Sequence, residues 1–204
     1  MKLPNSISRT GKDSIKRFEK YLKMTTMTPK AFSVNNYVFG SEDQLFLDAN
    51  IWLFLFGPQQ SPVRNRVKTY SQAFKRILIA KSQIYIDVLI VSEFINSYSR
   101  IIWRNASPTI SFKQFRNSRQ FKPIAQNITA DVRNVLMHCS PMESGFSLLD
   151  MNDLLNDYAA GGVDFNDQVI TELCRTKGLT LITNDGDFQG QGIHILTANR
   201  RLLV

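Results

Sequence analysis

Residues 44–56 read "QLFLDANIWLFLF", an apolar run that holds one acid, Asp48, and one amide, Asn50. An ionised carboxylate in such surroundings is costly unless something pairs with it. Acids in comparable settings recur along the chain: Glu93 in "VLIVSEFIN", Asp167 in "DFNDQVITELC", and Asp185 and Asp187 in "LITNDGDF". Carboxylates that share one crevice repel one another, so they either take up protons or hold cations. Oxygen donors without a neighbouring His or Cys suit Mg²⁺ or Mn²⁺, bound partly through water and substrate phosphate, rather than zinc. The chemistry open to such a set is metal-assisted hydrolysis of a phosphodiester.

Taken singly, each acid has a plainer explanation. Asp48 can cap the helix after it, Asp164 most readily caps its own, and Asp185 and Asp187 can be turn residues. Their positions in the predicted elements give them joint meaning. "LFLD" is a short apolar strand and "ANIWLFLFG" a helix that stops at Gly57-Pro58. A helix follows through "VRNRVKTYSQAFKRILIAKSQ", then a strand, "IYID", whose Asp87 can cap the helix through "VLIVSEFINSYSRIIW". Residues 106–148 are less regular, with a polar, basic stretch "SFKQFRNSRQFK" and a helix around "ITADVRNVLMH". "MNDLLNDYAAGG" predicts a helix capped by Asp150 and closed by Gly161-Gly162, and "DFNDQVITELCRTKG" one capped by Asp164. "LTLIT" and "IHIL" complete the strands, with "NDGDF" as a turn between them. Short apolar strands alternating with helices imply a three-layer α/β/α domain with a central parallel sheet. In such sheets ligands gather beyond the carboxyl ends of the strands, where Asp48 and Asp185 fall.

In this order Asp48 with Asn50, Glu93, Asp167 and "TND" at 183–185 resemble the active site of the PIN-domain nucleases, and "DFNDQVITELCRTKGLTLITNDGDF" is the most telling stretch. The resemblance covers roughly residues 43–198. It implies that Asp48, Glu93, Asp167 and Asp185 are the catalytic, metal-holding acids, with Asp187 an auxiliary ligand and Asn50 and Thr183 in support. Asp164 is the rival for the third place; "NDQVI" favours Asp167. It further implies a Mg²⁺- or Mn²⁺-dependent endoribonuclease, acting either as a VapC-like toxin held by an antitoxin protein or as a standalone RNA-processing enzyme, and a homodimer. The extension before the first strand and the long basic segment between the second and third acids depart from a compact toxin.

Over the 204 residues, 25 Lys and Arg stand against 17 Asp and Glu, a net charge of +8 that favours a polyanion partner, RNA first. Lys2, Arg9, Lys12, Lys16, Arg17, Lys20, Lys23 and Lys30 concentrate it in a basic amino-terminal extension, residues 1–42, ahead of the domain at 43–204. Within that arm "DSIKRFEKYLKM" carries helical spacing and reads equally as an amphipathic helix or a solvated tail. In "FKQFRNSRQFK" the rings of Phe112, Phe115 and Phe121 interleave with Lys113, Arg116, Arg119 and Lys122, as in a single-strand groove, although the rings read more readily as core. Arg100 and Arg104 are further phosphate contacts to consider. Two cysteines make no disulfide framework, and no signal or membrane-spanning run is found, so a soluble, cytoplasmic protein without membrane contact is expected.

Two other functions fit parts of the pattern. A non-catalytic nucleic-acid-binding module on the same fold has no use for clustered repulsion. A haloacid-dehalogenase-like phosphatase needs a second Asp two residues after the nucleophile, where this chain has Asn50.

Overall fold

The computed structural model describes residues 31–58, 64–106, 109–143 and 145–203. The predicted helix at the basic amino terminus lies outside them. Six strands, β1 (Ala31–Ser33), β2 (Gln44–Leu47), β3 (Gln83–Ile86), β4 (Ser140–Pro141), β5 (Thr180–Ile182) and β6 (Ile195–Thr197), form one sheet. Its order is β1-β6-β5-β2-β3-β4, and every pair is parallel. Seven helices are described: α1 (Ala49–Phe56), α2 (Arg64–Ala80), α3 (Val88–Ala106), α4 (Phe112–Arg116), α5 (Phe121–Met137), α6 (Met151–Ala160) and α7 (Phe165–Lys177). This is the three-layer α/β/α architecture expected from the alternation of strands and helices.

A central parallel strand is covered on both faces, so β2 carries no polar alternation: Leu45, Phe46 and Leu47 are all fully buried. It sits between β3 and β5, in register at Leu45↔Ile84 and Leu45↔Thr180. From β2 the chain fills one side of the sheet with β3 and β4 and then returns to lay β5 and β6 on the other. The strand order therefore reverses between β2 and β5, and their carboxyl ends bound the crevice of the sheet.

Each helix behind a strand is placed by its ends and one apolar stripe. Asp87 caps α3, its Oδ1 accepting the Ile90 N–H at 3.0 Å. Asp150 and Asp164 cap α6 and α7 as the sequence suggests. In α2 the buried residues Tyr70, Ala73 and Ile77 follow helical spacing. Phe74 meets Trp52, Phe56 and His138, which makes His138 a packing residue between helices. At the end of α1 a Cβ on Gly57 would lie 2.5 Å from the Leu53 carbonyl oxygen, so only glycine lets the chain turn there.

The basic stretch after α3 is more regular than its composition suggests. Ser111 and Gln114 form a capping box that starts α4, and α5 begins at Phe121, seven residues ahead of "ITADVRNVLMH". A strand ahead of residue 43 also joins the sheet. β1 pairs with β6, Val34 is fully buried, and the Arg76 guanidinium binds the carbonyls of Val34, Asn35 and Tyr37. Residues 31–42 thus pack with the sheet, because a short apolar edge strand there covers β6. Among the described residues no helix is long and apolar enough to cross a membrane.

Candidate active site

Asp48 follows the last residue of β2 and stands at the first turn of α1. Its N–H still donates to the Ile182 carbonyl at 3.0 Å, so the sheet ladder fixes its backbone. The side chain is only 4% exposed, and two groups hold one of its oxygens: the Thr183 hydroxyl donates to Oδ2 at 2.6 Å, and Asn50 Nδ2 donates to the same atom. Asn50 Nδ2 also reaches Thr183 Oγ1 at 3.2 Å, and Asn50 Oδ1 accepts the Asn184 N–H at 3.3 Å. Thr183 Oγ1 in turn accepts the Asp185 N–H at 3.0 Å. One hydroxyl therefore ties the acid ending β2 to the acid following β5.

Burial pushes the Asp48 carboxyl up to about 6; the Thr183 bond pulls it down and the Asp185 charge pushes it further up. Glu93, one and a half turns into α3, is half-buried and raised to about 7 by burial and by the charges of Asp48, Asp164 and Asp185. Asp167, in the first turn of α7, is raised to about 7 by burial and by Asp48, Asp164, Asp185 and Glu93. The acids from four separate segments thus share one electrostatic field. Asp164 is exposed and engaged as the α7 cap, accepting the Asn166 N–H at 2.8 Å, and its charge also acts on Glu93 and Asp167. Asp185 starts a short 3₁₀ turn by accepting the Asp187 N–H at 3.2 Å. Asp187 is exposed and is not among the charges acting on the other three carboxyls.

Could such a set hold a cation? All of its donors are hard oxygens, and burial followed by mutual repulsion raises three carboxyls, a repulsion that a divalent ion would relieve. Among the described residues no three acids, imidazoles or thiols close on one point as a finished ligand set. The fit is therefore to Mg²⁺ or Mn²⁺, whose coordination is commonly completed by water and by substrate phosphate. Cys139 and Cys174 are free, and burial pushes the Cys139 thiol up to about 12, so neither is a reactive thiolate.

The crevice has a neighbour that sequence did not reveal. A cavity of about 750 Å³ is lined by Asn50 and Asp185 together with Asn184, Asn199, Arg66, Arg200 and Arg201. Tyr70 braces its floor: the buried hydroxyl faces the Thr183 carbonyl (3.2 Å) and Asn184 Oδ1 (3.1 Å) and accepts the Ala198 N–H (2.9 Å). Asn199 adds a bond to the Asn184 carbonyl at 3.0 Å. None of Arg100, Arg104, Lys113, Arg116, Arg119 and Lys122 lines this cavity. Instead, Arg100 and Arg116 lie 4.7 and 6.0 Å over the Phe112 ring, and Phe115 is buried against Phe121. Two of the three interleaved rings are thus engaged inside the protein and one is covered by arginines.

A six-stranded parallel sheet with acids converging at its switch point defines an α/β protein with a candidate hydrolytic centre. The chain belongs to the PIN domain family, whose profile matches residues 45–192. Members of this family are generally nucleases and generally use divalent metals. Among solved structures it is similar to the crystal structure of VapBC2 from Rickettsia felis bound to a DNA fragment from their promoter, at 12% identity and a TM-score of 0.47, covering 76% of this chain and 98% of that one. No protein of curated function matches it in sequence. Asn50 donates to Asp48 through its amide and has no proton to give as an acid, so the haloacid-dehalogenase-like chemistry lacks its second carboxyl.

Proposed function

We propose that this protein is a metal-dependent endoribonuclease in which Asp48, Glu93, Asp167 and Asp185 form the reactive centre. One observation supports this: Asp48, Glu93 and Asp167, from three separate chain segments, are each raised by burial and then by the charge of Asp185 from a fourth. Family membership supports the nuclease activity, and the net charge of +8 supports a polyanionic substrate. A bound divalent cation would supply charge neutralisation on the phosphodiester and a more acidic water. Asp48 and Asp185, tied together through Thr183, would anchor it, with Glu93 and Asp167 completing the negative cage.

The test is incubation of matched oligoribonucleotides and oligodeoxyribonucleotides with and without Mg²⁺ or Mn²⁺, using the parent, Asp48→Ala and Asp167→Ala. Divalent-dependent cleavage of RNA by the parent alone is expected. Cleavage in chelator, or by both variants at parental rate, would refute the assignment. Family membership also motivates an antitoxin seated over the acids and a homodimer, and light scattering of the chain purified with its co-expressed neighbours reads both.

A further inference from the structure

The cavity beside Asp185 is lined by charges of both signs. Asp185 and the Asn50 amide also belong to the acid crevice, and Arg66, Arg200 and Arg201 line the same hollow. None of these three guanidinium groups makes an ion pair or hydrogen bond with a described residue; the ion pair present among those residues joins Arg175 and Glu172. Three like charges around one hollow repel, just as the acids do, and an anion seated among them would relieve it.

Their positions are held by the same bonds that hold the acids. Arg200 and Arg201 lie in a 3₁₀ turn (Arg200–Leu202) capped by Asn199, whose side chain accepts the Arg201 N–H at 3.1 Å and donates to the Asn184 carbonyl. Asn184 directly precedes Asp185. Arg66 stands in the first turn of α2, one turn before Tyr70, whose hydroxyl binds both loops. The backbone segments that carry the cations and those that carry the acids are therefore braced by one set of bonds.

We infer that this cavity seats a phosphodiester flanking the scissile one, with Arg66, Arg200 and Arg201 as its clamp and a single nucleic-acid strand as the ligand. This rests on the proposed nuclease role of the adjoining acids. A strand crossing the acid crevice presents phosphates at regular intervals. The one over the acids needs a cation, and its neighbour meets guanidinium groups whose forked donors match phosphate oxygens. A hollow of about 750 Å³ is of the size that receives a small ligand or a short piece of one strand, whereas a duplex would span its mouth.

The experiment measures binding apart from cleavage. In the Asp48→Asn background with Mg²⁺, a labelled oligoribonucleotide is titrated by fluorescence anisotropy across a salt series, with and without R66Q/R200Q/R201Q, and melting curves verify that both proteins are folded. The triple variant is expected to bind about 10-fold or more weakly, with a log K against log salt slope shallower by about 0.7, as one lost phosphate contact on a single strand gives. Affinity and slope equal to the Asp48→Asn parent would overturn the clamp. Should the triple variant fail to fold, R66Q alone reads the same two quantities, expected to shift in the same direction by a smaller amount. Cleavage by the otherwise unaltered chain, and its loss in Asp48→Ala, is scored separately, so failure of the clamp and failure of the nuclease assignment show in different measurements.

Discussion

Thr183 is fully buried, and its hydroxyl is saturated: it donates to Asp48 and accepts from Asn50 and from the Asp185 amide. Valine would keep the shape and remove every one of these bonds. Thr183→Val is expected to lower divalent-dependent cleavage by about 10- to 100-fold, the usual cost of losing a group that orients ligands, while circular dichroism stays native. The raised carboxyls give a second expectation whose sign is fixed by linkage. Asp48, Glu93 and Asp167 bind protons more tightly folded than unfolded, so without divalent ions their contribution to stability is full below about pH 4 and is lost as pH rises through 6 to 7. The metal-free protein should melt at a higher temperature at pH 5 than at pH 8, and Mg²⁺ should raise the melting temperature more at pH 8. Asp48→Asn should shrink both differences. The acids themselves were legible in sequence because each sits in an apolar or turn context that marks it. Tyr70 was not, since the partners of its hydroxyl lie 113 and 128 residues away and a tyrosine in a helix stripe looks like any core residue.

At the scale of elements, the alternation of apolar runs and helical stripes located β2, β3, β5, β6 and the helices between them. β1 and β4 escaped notice for a physical reason: three and two residues at the rim of a sheet need no run of buried side chains, and both are partly or wholly exposed. The basic segment hid α4, because a five-residue helix is marked by its Ser111–Gln114 cap more than by any stripe. The arginines of the cavity hid for the opposite reason: Arg66 and Arg200–Arg201 look like solvated surface until the fold lays α2 beside the chain end. Tyr70 is the residue that joins these elements. Tyr70→Phe removes the acceptor of the Ala198 N–H and the brace on the Thr183–Asn184 loop. A loss of about 1–3 kcal/mol is expected, read as a melting point lower by several degrees, together with slower RNA cleavage.

Over the whole molecule, a positive net charge, most of it contributed by residues 1–30, accompanies an acidic candidate site, a combination that favours capture of a polyanion and its approach to the acids with counterions. Cleavage of a long oligoribonucleotide should therefore fall steeply with added salt in kcat/KM, whereas a dinucleotide, which touches few of the cations, should show a much weaker dependence. Equal salt dependence for both would mean that the surplus charge plays no part in substrate capture. The same global view bears on self-association. The two outermost strands are β1, three residues long, and β4, which is Ser140–Pro141 and ends in a residue with no N–H to offer a newcomer. Among the described residues neither rim offers a long continuous ladder to another chain, so the sheet itself presents little template for fibrous aggregation.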